Sequence, residues 1–239
     1  MKRLLPAPIR RAVWEGVWPP VGWARLGSLR RTTPISRRFG IDRGKPIDRY
    51  YIERFLESRR EDIRGRVLEI GDATYTRQFG DCVERAEVLH AVAGNPEATL
   101  VGDLTTGEGI PADAFDCMIL TQTFHVIYDL HAAVAQTYRA LKSGGVLLAT
   151  LPGISQISRY DMDRWGDYWR LTDRSARRLF ESAFLPDGVT VATCGNVLAA
   201  VAFLHGLCAE ELRPEELDIN DPDYQLIITV RAVKPVEGA

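Results

Sequence analysis

The sequence has few cysteines, no closely spaced cysteine pair and no long hydrophobic run. Its 239 residues include four widely separated cysteines, Cys82, Cys117, Cys194 and Cys208. This spacing argues against a structural zinc site and a disulfide framework, and it favours a reducing, cytoplasmic compartment. No apolar stretch reaches the roughly 18 residues that a membrane-spanning helix needs. The longest such stretch, 197–208, is predicted to be a buried helix.

The net charge is also small, -2 at pH 7, but it is unevenly distributed. Residues 1–49 contain twelve Lys or Arg and three acids, so the rest of the chain carries about -11. Residues 1–46 are therefore interpreted as a basic N-terminal arm containing Trp14, Trp18 and Trp23. The arm either packs on the main domain or on a second subunit of a homodimer, or contacts an anionic membrane surface or acceptor. We expect no nucleic-acid partner.

Residues 47–239 show an alternation of helix and strand patterns. Strands are predicted at 66–71, 86–92, 98–103, 115–122, 145–152, 189–194 and 224–233. Helices are predicted at about 47–60, at 76–84, after the N-cap Asp129, and from the N-cap Thr172 to about Phe184. The pattern predicts an α/β domain with a seven-stranded, doubly wound, mostly parallel sheet that ends in an antiparallel hairpin.

Glycine is scarce in the turn after the first predicted strand, which reads Glu69-Ile-Gly-Asp-Ala-Thr-Tyr75. The segment resembles the E/D-x-G-x-G-x-G motif of the class I S-adenosylmethionine (SAM) dependent methyltransferases, but Ala73 and Tyr75 replace two of its glycines. The resemblance spans about residues 40–233. The segment before the first strand, 39–56, is similar to the one that covers the cofactor in a bacterial, type 11/12-like branch linked to glycan or natural-product pathways.

The resemblance implies SAM as the cofactor and assigns contacts to the strand ends. Those implied for cofactor binding are Glu69, Ile70, Gly71, Asp72, His90, Asp103, Leu104 and Gln122. Glu69 and the backbone near Gly71 would hold the methionine end, His90 the ribose, and Asp103 with Leu104 the adenine. His90 stands where the family usually has an acid, and a neutral imidazole accepts one hydrogen bond rather than two. Glu69, His90 and Asp103 also have plain structural interpretations, as a strand-end carboxylate, a structural histidine and a turn residue.

His125 is the candidate catalytic base. Methyl transfer to an alcohol requires alignment of the acceptor and removal of its proton, and a histidine at the mouth of a cleft suits that task. The alternative interpretation is a helix-start histidine bonded to Asp129.

The residues implied for acceptor binding are Tyr128, Tyr160, Trp169 and Arg170. The last two belong to the run 167–172, Asp-Tyr-Trp-Arg-Leu-Thr, which resembles a family segment lying over the active site. Aromatic rings and charged groups suit a polyhydroxylated small molecule, although the same segment could be a rigid lid that braces the core. Asp161 and Asp163 lack a partner histidine, so no metal site is predicted.

Three functions remain open. The sequence favours a SAM-dependent methyltransferase that O-methylates a sugar or natural-product small molecule. The alternative is a catalytically silent methyltransferase fold that binds a partner or a ligand. It is supported by the departures from the family motif at Ala73, Tyr75 and His90. A nicotinamide oxidoreductase ranks last, because it requires the missing glycines and an acid after the second strand.

Overall fold

The computed structural model describes residues 22–236, together with Pro6, Ile9, Pro19 and Pro20. The chain divides into two compact units, 1–34 and 35–239. In the smaller unit, a short 3₁₀ turn is formed at Gly27–Leu29. Among the described residues, no helix combines the length and the apolar character needed to cross a membrane.

The predicted basic arm is described only in part. Trp14 and Trp18 lie outside the described residues, so contact of the arm with a membrane or a second subunit stays a prediction. Residues 35–46, assigned to the arm from the sequence, fall within the larger unit. There the backbone of Ile35 donates to the carbonyl of His205 at 2.8 Å.

Within the described residues, seven strands form one sheet. They are β1 (Gly65–Ile70), β2 (Val83–His90), β3 (Leu100–Val101), β4 (Phe115–Thr121), β5 (Leu141–Pro152), β6 (Val189–Cys194) and β7 (Ile227–Val233). Their order is β3-β2-β1-β4-β5-β7-β6. The first five strands are parallel, and β7 runs antiparallel to both β5 and β6. The predicted sheet and its terminal hairpin are confirmed.

Helices lie between the strands. They are α1 (Ile47–Glu57), α2 (Thr74–Phe79), α3 (Leu130–Ala140), α4 (Arg159–Met162), α5 (Asp173–Phe180), α6 (Val197–Leu204) and α7 (Pro214–Leu217). Both predicted N-caps are confirmed: Asp129 accepts from the backbone of Ala132 at 2.9 Å, and Thr172 forms a capping box with Ser175. These caps were predictable because each depends on a few neighbouring residues.

The central strands are buried on both faces. β4 from Cys117 and β5 from Val146 are nearly continuous apolar runs, as expected where helices cover both sides of a parallel sheet. Their side chains meet α3 and α5 in the largest core, where the rings of Phe124 and Phe180 contact edge to face at 5.3 Å. The rigid centre of the sheet thus fixes the positions at which β1 to β5 end.

The prediction of a buried helix at 197–208 is wrong in extent and in exposure. The helix ends at Leu204, and only one of its faces is buried. The side chains on its other face are 37 to 50% exposed, and they are Val197, Leu198, Val201 and Leu204. Because the residues of this helix are apolar on all its sides, the sequence pattern does not indicate which face is buried.

Candidate active site

The turn after β1 keeps a glycine where the backbone needs one. Gly71 has a φ of +84°, in the left-handed region that favours glycine. A Cβ at this position would meet no atom within 4 Å. Ala73 has a φ of -111°, and Tyr75 lies within α2 with its ring buried against Phe79. Neither replacement requires a left-handed backbone, and the ring of Tyr75 packs on Phe79 rather than occupying the space beside Gly71.

Glu69 is buried at the end of β1 and closes the N-terminus of α2. One carboxylate oxygen accepts from the backbone of Tyr75 at 3.1 Å, and the other accepts from the backbone and the hydroxyl of Thr76, both at 2.8 Å. Burial raises the pKa of Glu69, and these hydrogen bonds oppose that rise. Both oxygens are therefore engaged within the chain, and a ligand ammonium group would have to share them.

The ends of β2 and β3 place two predicted cofactor residues near the same edge of the sheet. His90 is the last residue of β2; its Nδ1 lies 2.8 Å from the carbonyl of Val92, and its ring meets Trp165 edge to face at 6.0 Å. Asp103 follows β3, and its Oδ1 accepts from the backbone of Thr105 at 2.6 Å. Asp103 thus forms the turn hydrogen bond expected of a structural aspartate. An adenine contact by Asp103 stays a prediction.

Three further predicted cofactor residues have structural contacts. Asp72 accepts from the backbone of Thr74 at 2.8 Å. Ile70 packs against the largest core, and Leu104 is buried within it. Their contacts with a cofactor stay predictions.

Gln122 adopts an unusual backbone conformation directly after β4. Its φ is +46°, which is uncommon for a residue with a side chain. Its backbone donates to the carbonyl of Thr150 at 3.0 Å, and its Nε2 donates to the hydroxyl of Thr150 at 3.3 Å. Such conformations concentrate at functional sites. The residue lines a cleft of about 120 Å³ beyond the ends of β4 and β5.

This cleft combines a polar wall with a few apolar side chains. Its polar lining consists of Asp48, Gln122, His125, Ser155, Gln156, Ser158, Asp161, Asp167 and Arg170. Its apolar lining consists of Phe39, Pro152, Phe203 and Ile227. Of the residues predicted from the sequence, Gln122, His125 and Arg170 meet here. Tyr128, Tyr160 and Trp169 are not part of the lining.

His125 is buried in the wall of the cleft. Its Nε2 lies 3.9 Å from Oδ1 of Asp167, and its buried Nδ1 has no hydrogen-bond partner in the part of the chain that the structure describes. Burial lowers the pKa of His125, while the nearby Asp167 opposes that effect. The imidazole is therefore neutral at pH 7. Its carboxylate neighbour is Asp167, not Asp129, so the alternative interpretation as a helix-start contact is wrong.

Arg170 lines the cleft and holds Asp167 and the segment at Gln156 in place. Its guanidinium donates to both carboxylate oxygens of Asp167, at 2.6 and 2.8 Å, and to the carbonyl of Gln156 at 2.6 Å. Asp167 also accepts from the backbone of Ser158 at 2.9 Å. Burial disfavours ionisation of Asp167, but the hydrogen bonds from Arg170 and Ser158 outweigh it and lower its pKa. These contacts fit the lid interpretation of the segment, and substrate binding by Arg170 stays a prediction.

The segment after His125 is tied to the aromatic run near Arg170. The ring of Tyr128 lies 5.3 Å from that of Tyr168 and 5.9 Å from that of Trp169. The indole of Trp169 donates to the carbonyl of Ile127 at 3.1 Å, and the backbone of Tyr168 donates to that of His125 at 2.9 Å. Trp165, two residues before the run 167–172, contacts His90, so the segment 165–172 connects the end of β4 with the end of β2.

Tyr160 faces solvent. Its side chain is 64% exposed, and the guanidinium of Arg164 lies over its ring at 3.6 Å. The structure therefore does not bring this predicted acceptor-binding residue into the cleft. Among the described residues, no group of three His, Cys, Asp or Glu side chains is arranged to hold a metal ion.

Asp48 is a candidate functional residue that the sequence analysis missed. It lies in the first turn of α1 and lines the cleft, and its Oδ1 accepts from the backbone of Arg49 at 2.8 Å. Burial raises the pKa of Asp48 to about 6. The only available signal was an acid within an apolar helix face. The apolar spacing of 47–60 predicts a helix, but it contains no information on the distant strand ends whose cleft Asp48 lines.

Comparisons with known proteins agree with this fold. Residues 66–149 match the family model described as "Methyltransferase domain". No curated protein sequence matches the chain. One similar solved structure is the N-methyltransferase NodS from Bradyrhizobium japonicum, crystallised with S-adenosyl-L-homocysteine (SAH). It is 13% identical, with a TM-score of 0.52 over 84% of this chain and 95% of that one.

A second similar structure is phosphoethanolamine N-methyltransferase 2 from Haemonchus contortus, crystallised with SAM. It is 15% identical, with a TM-score of 0.50 over 78% of this chain and 53% of that one. The described residues therefore have the fold of the class I SAM-dependent methyltransferases, and the predicted fold class is confirmed. The link to glycan or natural-product pathways stays a prediction.

Proposed function

We propose that this protein is a SAM-dependent methyltransferase that O-methylates a sugar or another natural-product small molecule. The fold, the match of residues 66–149 to a methyltransferase domain, and similar structures crystallised with SAM or SAH support the proposal. The observation that carries it is the turn after β1. There Gly71 keeps a left-handed backbone with open space beside it, although two motif glycines are replaced.

The strand ends supply groups for each part of the cofactor. SAM supplies an electrophilic methyl group on a sulfonium. The backbone at Gly71 and Asp72 holds the methionine end, and His90 offers one ring nitrogen to the ribose. Asp103 accepts a hydrogen bond from the adenine amino group. Because His90 replaces an acid that would accept two hydrogen bonds, we expect weaker ribose binding than in relatives with the acid.

The cleft beyond β4 and β5, at about 120 Å³, holds the reacting end of the acceptor, with His125 as the base. Its imidazole is neutral at pH 7 because burial lowers its pKa, so it can take the hydroxyl proton. Nδ1 is the nitrogen without a hydrogen-bond partner among the described residues; because it is buried in the cleft wall, it becomes the basic nitrogen once the acceptor reaches it. Asp167, 3.9 Å from Nε2, stabilises the imidazolium that forms. Arg170 and Ser158 hold Asp167 in place.

An amine is a second candidate acceptor, favoured by the charge of the cleft. Asp48 and Asp161 line it, and neither carboxylate has an ion-pair partner among the residues that the structure describes. Two such acids would attract a protonated amine, whose proton His125 would then remove. The two acceptors should depend differently on the charge of Asp48. Removing that charge should reduce methyl transfer to an amine far more than methyl transfer to an alcohol.

The test is methyl transfer from radiolabelled SAM to matched hydroxyl and amino acceptors, beginning with nucleotide sugars and aminosugars. We expect His125→Ala to lower turnover by about 100-fold, within the range of general base catalysis, with SAM affinity unchanged. His131→Ala is the control, because His131 is an exposed histidine on α3. Full activity of His125→Ala would contradict its role. SAM binding without transfer to any acceptor would favour the silent fold.

A further inference from the structure

A second cavity, separate from the cleft, lies between the terminal hairpin and α1. We call it the hairpin pocket; the outer face of β6 and β7 forms its floor, and α1 and the segment after α7 form its sides. Its volume is about 330 Å³, which reaches the lower range of small-molecule sites. It shares no lining residue with the cleft. A ligand here would therefore not compete for the proposed acceptor site.

The hairpin pocket is mainly apolar. Ala192 and Cys194 of β6 contribute to its floor, and Phe55, Leu217 and Ile219 contribute to its sides. The small side chains of β6 leave space that a larger residue would fill. The pocket thus suits the apolar body of a small ligand, since burying apolar surface contributes roughly 25 cal/mol per Å².

Three guanidinium groups border this apolar space, and two of them pair with an acid within the described part of the chain. Arg54 pairs with Asp218, and Arg231 makes two hydrogen bonds of 2.8 Å with Asp62. Arg59 forms no ion pair among the described residues, and its Nε is buried without a hydrogen-bond partner. A buried donor left unpaired is destabilising, and no described acidic group competes with a ligand for the guanidinium of Arg59.

We propose that the hairpin pocket binds a small amphipathic carboxylate, with its apolar body on β6 and its carboxylate on Arg59. A carboxylate matches the fork of a guanidinium through two parallel hydrogen bonds. A cationic ligand would meet three guanidinium groups and one carboxylate, Asp218, that is already paired. A neutral ligand would leave the charge of Arg59 without a counter-charge. The inference does not depend on the proposed methyl transfer.

The test is isothermal titration of the full chain with octanoate, 1-octanol, octylamine and inorganic phosphate. We expect octanoate to bind with a Kd below about 1 mM, and octanol and octylamine to bind at least tenfold more weakly. Arg59→Gln should weaken octanoate at least tenfold, because it removes a charge-assisted hydrogen bond. Arg60→Gln is the matched control, since Arg60 is the next residue and pairs with Glu57 on the surface.

A second variant tests the apolar half of the pocket. Ala192→Leu should fill the floor and abolish octanoate binding while Arg59 remains, and circular dichroism would verify that the variant is folded. Failure of octanoate to bind the folded wild-type chain would overturn the proposal, as would equal binding of octanoate and octanol. Equal octanoate affinity of Arg59→Gln and wild type would overturn it too. Preference for phosphate over octanoate would also overturn the proposal, because phosphate has no apolar body to lie on β6.

Discussion

Replacing Asp48 by Asn should make the protein more stable at neutral pH. The carboxylate lines the cleft without an ion-pair partner among the described residues, and burial raises its pKa from 3.8 to about 6. The folded state therefore holds the proton more tightly than the unfolded chain does. Ionisation of Asp48 thus opposes folding: the cost grows as the pH rises above about 4 and is complete above about 6.

The magnitude follows from the size of the pKa change. A rise of roughly two pKa units corresponds to about 3 kcal/mol, and partial exposure to solvent reduces this to about 1–2 kcal/mol. Asn keeps an oxygen that can accept from the backbone of Arg49. For a chain of this size, the gain corresponds to a rise in Tm of roughly 2–8 °C at pH 8.

Urea unfolding and thermal scans at pH 8 and near pH 3 provide the assay. The gain should be complete at pH 8, shrink as the pH falls below about 6, and nearly disappear near pH 3, where the carboxyl of Asp48 is mostly protonated in both states. Asp223→Asn, at an exposed acid, is the control and should change stability little at either pH. An unchanged stability at pH 8, or an equal gain at both pH values, would refute the reasoning. Groups that destabilise their own fold concentrate at functional sites. Asp48 lines the same cleft as His125, so we attribute its retention there to ligand binding.

Three further substitutions test the site. Glu69→Ala should lower the free energy of unfolding by about 2–4 kcal/mol in urea titrations, because the backbone donors of Tyr75 and Thr76 lose their acceptor; a loss below about 1 kcal/mol would contradict this. Asp167→Asn should cost about 2–3 kcal/mol and reduce turnover, because the buried pair with Arg170 is broken. Wild-type stability would remove Asp167 from its bracing role. Asp103→Ala should weaken SAM about tenfold in calorimetry, with only a small fall in Tm from loss of the turn hydrogen bond to Thr105, and an unchanged affinity would exclude the adenine contact.

The fold was predictable from the sequence because it depends on local patterns. Alternating strands and helices, with caps at Asp129 and Thr172, gave the sheet and its terminal hairpin. The strand ends followed only approximately from the apolar runs: the second strand, predicted at 86–92, runs over Val83–His90 and so ends two residues earlier than predicted. The ends of α5 were less well predicted: it stops at Phe180, not Phe184, because packing decides where the last turn ends.

The contacts of the site were less predictable because they join distant segments. Asp48 reaches the cleft from α1, and Asp167 meets His125 across 42 positions of sequence. Local periodicity contains no information on such pairs. Glu69 was predicted to bind a ligand because a buried carboxylate needs partners, but the chain itself supplies them through Tyr75 and Thr76.

Calorimetric titration of the purified chain with SAM and with SAH tests the central claim most directly. The account predicts micromolar binding of at least one of them, because the backbone at Gly71 is open although Ala73 and Tyr75 replace glycines. The Asp103→Ala variant should bind more weakly in the same experiment. No binding of either ligand by a demonstrably folded chain would contradict the account and leave a methyltransferase fold without its cofactor.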